Sequence, residues 1–355
     1  MREADEKVSS QTISANNSHR RTSRSEFDFI RQLRIGNSAN PPNSIIGDDA
    51  AVIKGSAEKE TLITTDLLIE DIDFRRNTTP PYLLGHKTLA VSLSDIAAMG
   101  ARPRWALVSI GIPKDVWDTS FVDRFYEGFF ELAGRYDVQL IGGDTSRSPD
   151  KVVIDSIVIG EAATNAAIKR SGAKPGDHLF VTGSLGAAAA GLRLIERGAH
   201  LADQNLGDAE ALVLDHLLLR YLRPDPRVGW GMILGQEKLA TAMIDLSDGL
   251  SSDLNHLCRE SEVGVLVDST QIPIDVQVRE LCGRRALDPL QLSLNGGEDF
   301  ELLFTVNPEN VKRLPRRVDG VAITHIGEIK TNAEGINLRE GSRVWPLKPE
   351  GWEHF

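Results

Sequence analysis

The placement of the aspartates constrains this chain more than any other feature. They recur beside glycine where predicted strands give way to loops. Asp48-Asp49 follow Gly47, Asp66 follows Thr64-Thr65, and Asp144 follows Gly142-Gly143. Asp245 and Asp248 precede Gly249, Glu298-Asp299 follow Gly296-Gly297, and Asp95 sits in the stretch Ser94–Gly100. One aspartate beside a glycine reads as a turn or a helix cap. Six such sites ask for a layered fold in which strand ends converge at one edge of a sheet. Carboxylates gathered there repel: two unit charges about 4 Å apart cost about 4 kcal/mol at an effective dielectric near 20. Bound cations remove that cost. Oxygen donors alone, including the Thr64 and Thr65 hydroxyls, suit a hard ion such as magnesium rather than zinc.

Hydrophobic periodicity supplies the layers. Strands are expected at Thr61–Asp66, Trp105–Ile112, Val138–Ile141, Val152–Ile159, His178–Thr182, Ala242–Leu246, Val263–Val267, Gly297–Val306 and Val321–Ile326. Helices are expected at Leu84–Met99, Trp117–Tyr136, Ala187–Arg197, Asp208–Leu222 and Leu250–Ser261, with Gly100 stopping the first of them. A Gly- and Pro-bearing seam at Ala162–Gly176 divides the pattern, so residues 26–165 and 166–355 are expected as two α/β (α+β) domains. Residues 1–25 are rich in Ser, Thr, Asn and Arg, lack apolar periodicity, and read as a disordered tail. They have neither the apolar core of a signal peptide nor the acid-free composition of a transit peptide.

Several function classes are excluded. The net charge of -11 opposes general nucleic-acid binding. No apolar run approaches the roughly 20 residues that span a bilayer. Cys258 and Cys282 have no metal-pair spacing and read as reduced thiols of a cytoplasmic protein. Neither G-x-x-x-x-G-K-[ST] nor G-x-G-x-x-G occurs, so metals would carry most of the charge of any bound nucleotide.

Taken in order, Ile46–Ala51, Thr64-Thr65-Asp66, His86–Gly100, Gln139–Thr145, Arg170–Asp177, Ile244–Leu250 and Asn295–Leu303 resemble the thiamine-monophosphate kinases. The resemblance runs from Glu26 to the C-terminus. It implies a two-lobed aminoimidazole ribonucleotide synthetase-like fold with mixed sheets flanked by helices, paired as a homodimer. It also implies transfer of the γ-phosphoryl of ATP to thiamine monophosphate with several magnesium ions. By the same resemblance Asp49, Thr64, Thr65, Asp66, Asp95, Asp144, Asp245 and Asp248 match magnesium positions, with Asp66, Asp95 and Asp245 as the catalytic core. Tyr126, Gly143, Asp144, Arg170 and Ser247 match ATP contacts, and Glu298 and Trp352 match substrate contacts. Arg170 also reads as a surface arginine beside a turn, and Trp352 as a tail residue closing the core.

One position departs from the pattern. Where the family commonly has a substrate-contacting histidine, this chain has Asp73. Two rival readings stand beside the kinase. One is another ATP-using synthetase of the same superfamily, though the selenophosphate branch fails because no Cys precedes Cys258. The other is a binding module without turnover.

Overall fold

The computed structural model describes residues 50–54, 58–201, 208–285 and 287–352. The tail, the Phe27–Ile35 stretch whose apolar spacing suits a short amphipathic helix, and Asp48-Asp49 lie outside those residues.

Strands β1 (Ala51–Lys54), β2 (Lys59–Ile69), β3 (Arg102–Ile112), β4 (Gln139–Arg147) and β5 (Val153–Ala163) form one sheet in the order β1-β2-β5-β3-β4. Its pairings are antiparallel except for β3 with β4. A helix, α1 (Pro81–Ala98), packs on this sheet, and α2 (Lys114–Trp117) and α3 (Phe121–Tyr136) follow. The alternation of burial along β3 and β5 shows that one face meets the helices while the other is only partly covered.

The second sheet has the order β13-β12-β8-β11-β6-β9-β7. Its strands are β6 (His178–Thr182), β7 (Ala240–Asp245), β8 (Val263–Asp268), β9 (Leu302–Val306), β11 (Val321–Thr331), β12 (Ile336–Glu340) and β13 (Arg343–Pro346), with β10 (Arg317–Val318) paired to β11. Helices α4 (Ala187–Glu196), α5 (Asp208–Leu222), α6 (Val228–Gln236), α7 (Leu250–Ser261), α8 (Val276–Arg285) and α9 (Pro289–Asn295) accompany it.

Helix α1 is the keystone. Proline opens it, where a missing N–H costs nothing. It is buried almost all round rather than along one stripe, because it also packs against α3, α6 and β7. Glycines permit these approaches. A Cβ on Gly85 would lie 1.8 Å from the Phe125 carbonyl oxygen, and one on Gly231 would lie 2.2 Å from that of Ala97. Gly100 ends the helix at φ 69°, as expected from the sequence. The largest apolar core draws Leu89, Leu93 and Phe129 together with Trp230, Met243 and Phe304, so it runs from the first sheet into the second.

Four expectations need correction. The Trp117–Tyr136 helix is interrupted, because Thr119 Oγ1 bonds to the backbone at Val116 and Phe121 and offers it an alternative to the helix. The Gly297–Val306 strand starts only at Leu302, since Glu298 (φ 68°) and Phe300 (φ 48°) are left-handed. Strand β2 runs on to Ile69 and β4 to Arg147, so Asp66 and Asp144 stand inside strands rather than at their ends.

Candidate active site

One turn of α1 gathers three of the predicted positions. Ser92 Oγ donates to Asp66 Oδ2 of β2 at 2.6 Å, and Ser94 Oγ donates to Asp245 Oδ2 of β7 at 2.6 Å. Asp95 accepts a short bond from the Thr64 hydroxyl. Thr64 and Asp66 alternate along β2 and so share its helix-facing side, while Asp245 is the last residue of β7 and only 3 % exposed. The two sheets therefore present carboxylates to the same stretch of helix.

The loop after β7 is built by pairing with the glycine-rich segment before β9. Leu246 N donates to Glu301 O, Glu298 N to Ser247 O at 2.8 Å, and Phe300 N to Leu246 O. A Cβ on Gly297 would lie 2.4 Å from Ser247 O, which explains the glycine. The C-terminal segment closes on the same loop: Trp352 N donates to Asp248 O at 3.1 Å and Gly351 N to Ser252 Oγ at 3.0 Å. Trp352 is 55 % exposed, so it does not close the core. Ser247, Asp248, Glu298 and Trp352 thus share one loop cluster.

Two further carboxylates, neither given a site role from the sequence, fix these loops. Asp253 in α7 accepts the Asp248 and Gly249 amides. Burial first, then the charges of Asp248 and Asp245, hold its carboxyl well above the usual range, and Arg170 opposes them. Asp299 accepts the Gly186 and Ala188 amides at the start of α4, and burial pushes it up to about 7 against the pull of Arg220. Glu301 is fully buried in a fork with Arg227. Their signal in the sequence is weak, because an acidic residue in the first turn of a helix or before a strand also reads as a cap.

The remaining candidates stand apart. Thr65 points to the opposite face of the sheet, where its hydroxyl donates to Asp155. Asp144 pairs in register with Ser109, which pairs with Asp155, so it lies on that opposite face as well and is exposed. The register row from Asp66 passes through Ser156 and Val108 to Gly143. Three strand spacings, roughly 14 Å, therefore separate the Asp66 and Asp144 positions. Gly143 is dictated by the close approach of β3: its φ is 152°, and a Cβ would lie 1.9 Å from Val108 O. Tyr126 rests among Phe125, Phe129 and Phe130. Asp73 has an internal role, as its Oδ2 accepts the Ile69 amide at 2.7 Å.

Among the described residues no group of three or more His, Cys, Asp or Glu is placed to hold a metal ion by itself. The donors still suit magnesium, which takes one or two carboxylates and completes its shell with water and substrate phosphates. Cys258 and Cys282 are buried free thiols, and burial pushes Cys258 up to about 12. No described helix is long and apolar enough to cross a membrane.

Comparison with known proteins agrees with this architecture. Residues 47–162 match the AIR synthase related protein N-terminal domain, and residues 174–336 match the corresponding C-terminal domain. The chain is 39% identical over 334 residues to the thiamine-monophosphate kinase of Escherichia coli K12, covering 93% of this chain and 95% of that protein. The Bacillus subtilis thiamine-monophosphate kinase is 36% identical, with 93% and 99% covered. A solved structure described as AaThiL complexed with AMPPCP and TMP superposes with a TM-score of 0.80 at 31% identity, covering 93% of this chain and 97% of that one. This chain belongs to the AIR synthase related family and, within it, to the thiamine-monophosphate kinases.

Proposed function

We propose that this chain transfers the γ-phosphoryl group of ATP to thiamine monophosphate, giving thiamine diphosphate and ADP. The observation that carries this reading is the turn Ser92–Asp95, which ties Asp66, Thr64 and Asp245 to one helix in a chain aligned almost end to end with such kinases. The bond from Pγ to the bridging oxygen of ADP breaks, and one from Pγ to an oxygen of the acceptor phosphate forms. That oxygen is already anionic, so no general base is needed. The obstacle is bringing two polyanions together, and catalysis rests on positioning and charge neutralisation.

Asp49, Thr64, Thr65, Asp66, Asp95, Asp144, Asp245 and Asp248 would hold magnesium, which supplies the positive charge that clamps both phosphates. Hydroxyl donors fix the orientation of Asp66, Asp95 and Asp245 in advance. Arg170 adds a cation at the Asp253 side of the loop. Glu298 and the exposed indole of Trp352 flank the Ser247-Asp248 loop, where a heteroaromatic cation can stack and be bonded.

A homodimer is part of the proposal. Leu67 is 56% exposed on the face of the first sheet that α1 leaves open, and Ile141 is 55% exposed in β4. One ion cannot reach from Asp66 to Asp144 within a protomer, so a site that sets both on one ion is shared between two copies. The division into lobes at residues 165/166 and a cytoplasmic location belong to the same reading.

The test is a product assay with ATP, magnesium and thiamine monophosphate. Asp245→Asn and Asp66→Asn are expected to abolish turnover while the protein stays folded. Wild-type-like turnover in either variant refutes the assignment.

A further inference from the structure

One buried charge is not used by the reaction as described. Lys87 lies on α1 and is 1 % exposed, although lysine is among the residues least often buried. Its ammonium donates to Glu298 Oε2 and stands 3.8 Å from the centroid of the Tyr221 ring. Burial alone would pull Lys87 down, but Glu298 first, then Tyr221 and Asp73, hold it above its usual range. The ring beneath it is itself fixed, since Tyr221 OH donates to Asp73 O at 3.2 Å. The partner is unusual too. Glu298 sits at φ 68° outside any regular element, and its side chain is 32% exposed. A non-glycine residue held left-handed on a loop needs its surroundings to keep it there.

We infer that Lys87 is a positioning residue for substrate recognition. Anchored by α1 and Tyr221, it holds Glu298 as a fixed anionic acceptor at the mouth of the site. The site then selects a ring that offers N–H donors or carries positive charge, and it rejects analogues lacking both. Thiamine monophosphate has both features, an exocyclic amine on its pyrimidine and a cationic thiazolium. The inference rests on Glu298 meeting the acceptor substrate in the reaction proposed above.

Steady-state kinetics on the full chain test it. Lys87→Met keeps the buried stem and removes the charge. The KM for thiamine monophosphate is expected to rise about tenfold or more, as for a lost charge-assisted contact, while the KM for ATP stays within about twofold. A merely structural lysine would lower the melting temperature and kcat without that split. The double variant Lys87→Met/Glu298→Gln leaves no unpaired buried charge, so it remains informative where the single variant does not fold. Its KM for thiamine monophosphate is expected to equal that of Glu298→Gln alone, because Lys87 acts only through Glu298. An unchanged KM in Lys87→Met, or penalties that multiply in the double variant, overturns the inference while leaving the reaction standing. A wild-type protein that makes no thiamine diphosphate overturns both.

Discussion

Replacing Arg227 with methionine tests how the glycine-rich segment is anchored. Glu301 is fully buried and accepts from Arg227 Nε and Nη2 at 2.5 Å each, from Thr182 Oγ1 at 2.7 Å and from Arg220 Nη2 at 3.0 Å. Arg227→Met leaves that carboxylate with the Thr182 hydroxyl and the more distant arginine. Breaking a buried pair by removing one partner costs about 3–5 kcal/mol, and Arg220 places this case near the lower end. At about 2 °C per kcal/mol for a chain of this size, thermal unfolding is expected roughly 6 °C below wild type. Burial opposes the charge on Glu301, but Arg227 pulls its carboxyl below the usual range. A depressed carboxylate stabilises the fold above its unfolded pKa, and that contribution is lost as pH falls through the folded value. The gap between wild type and Arg227→Met should therefore narrow in acid. Arg227→Met/Glu301→Leu removes the stranded carboxylate and is expected to recover part of the loss, since Arg220 then gives up its carboxylate partner. A single variant melting within about 1 °C of wild type, or a double variant no better than the single, refutes the reasoning.

Two other outcomes follow from the geometry. Mixing inactive Asp66→Asn and Asp144→Asn proteins and allowing subunits to exchange should restore about a quarter of wild-type activity, because half the pairs are mixed and each holds one intact site. No recovery after demonstrated exchange would mean that both aspartates act within one protomer. His86 is 4 % exposed, and its Nε2 lies 2.8 Å from Pro224 O; burial lowers its pKa to about 4. The unfolded chain then binds the extra proton first, so wild-type stability should fall between about pH 6.5 and pH 4, and His86→Gln should flatten that slope in a pH series of melting curves.

The identity of the chemistry was legible in the sequence, because aspartates beside glycines, without a phosphate-binding loop, already call for metal-assisted handling of phosphates. So was α1, whose apolar spacing and terminal Gly100 fix a helix locally. The arrangement of the site was not. A strand has period two, so Thr64 and Thr65 must face opposite ways, but only pairing with β5 and packing against α1 shows which residue meets Asp95 and which meets Asp155. In the sequence Asp73 is only a departure from the family's histidine, and its bond to the Ile69 amide gives it a local role. Lys87 reads as one more polar residue in a helix, and Glu301 as one more acid before a strand. Their partners lie 211 and 74 positions away, at Glu298 and Arg227, and no local pattern encodes a contact at that separation. Residue type and local spacing determined what the site can do; long-range packing decided which side chains do it, because burial and strand register are properties of the folded chain alone.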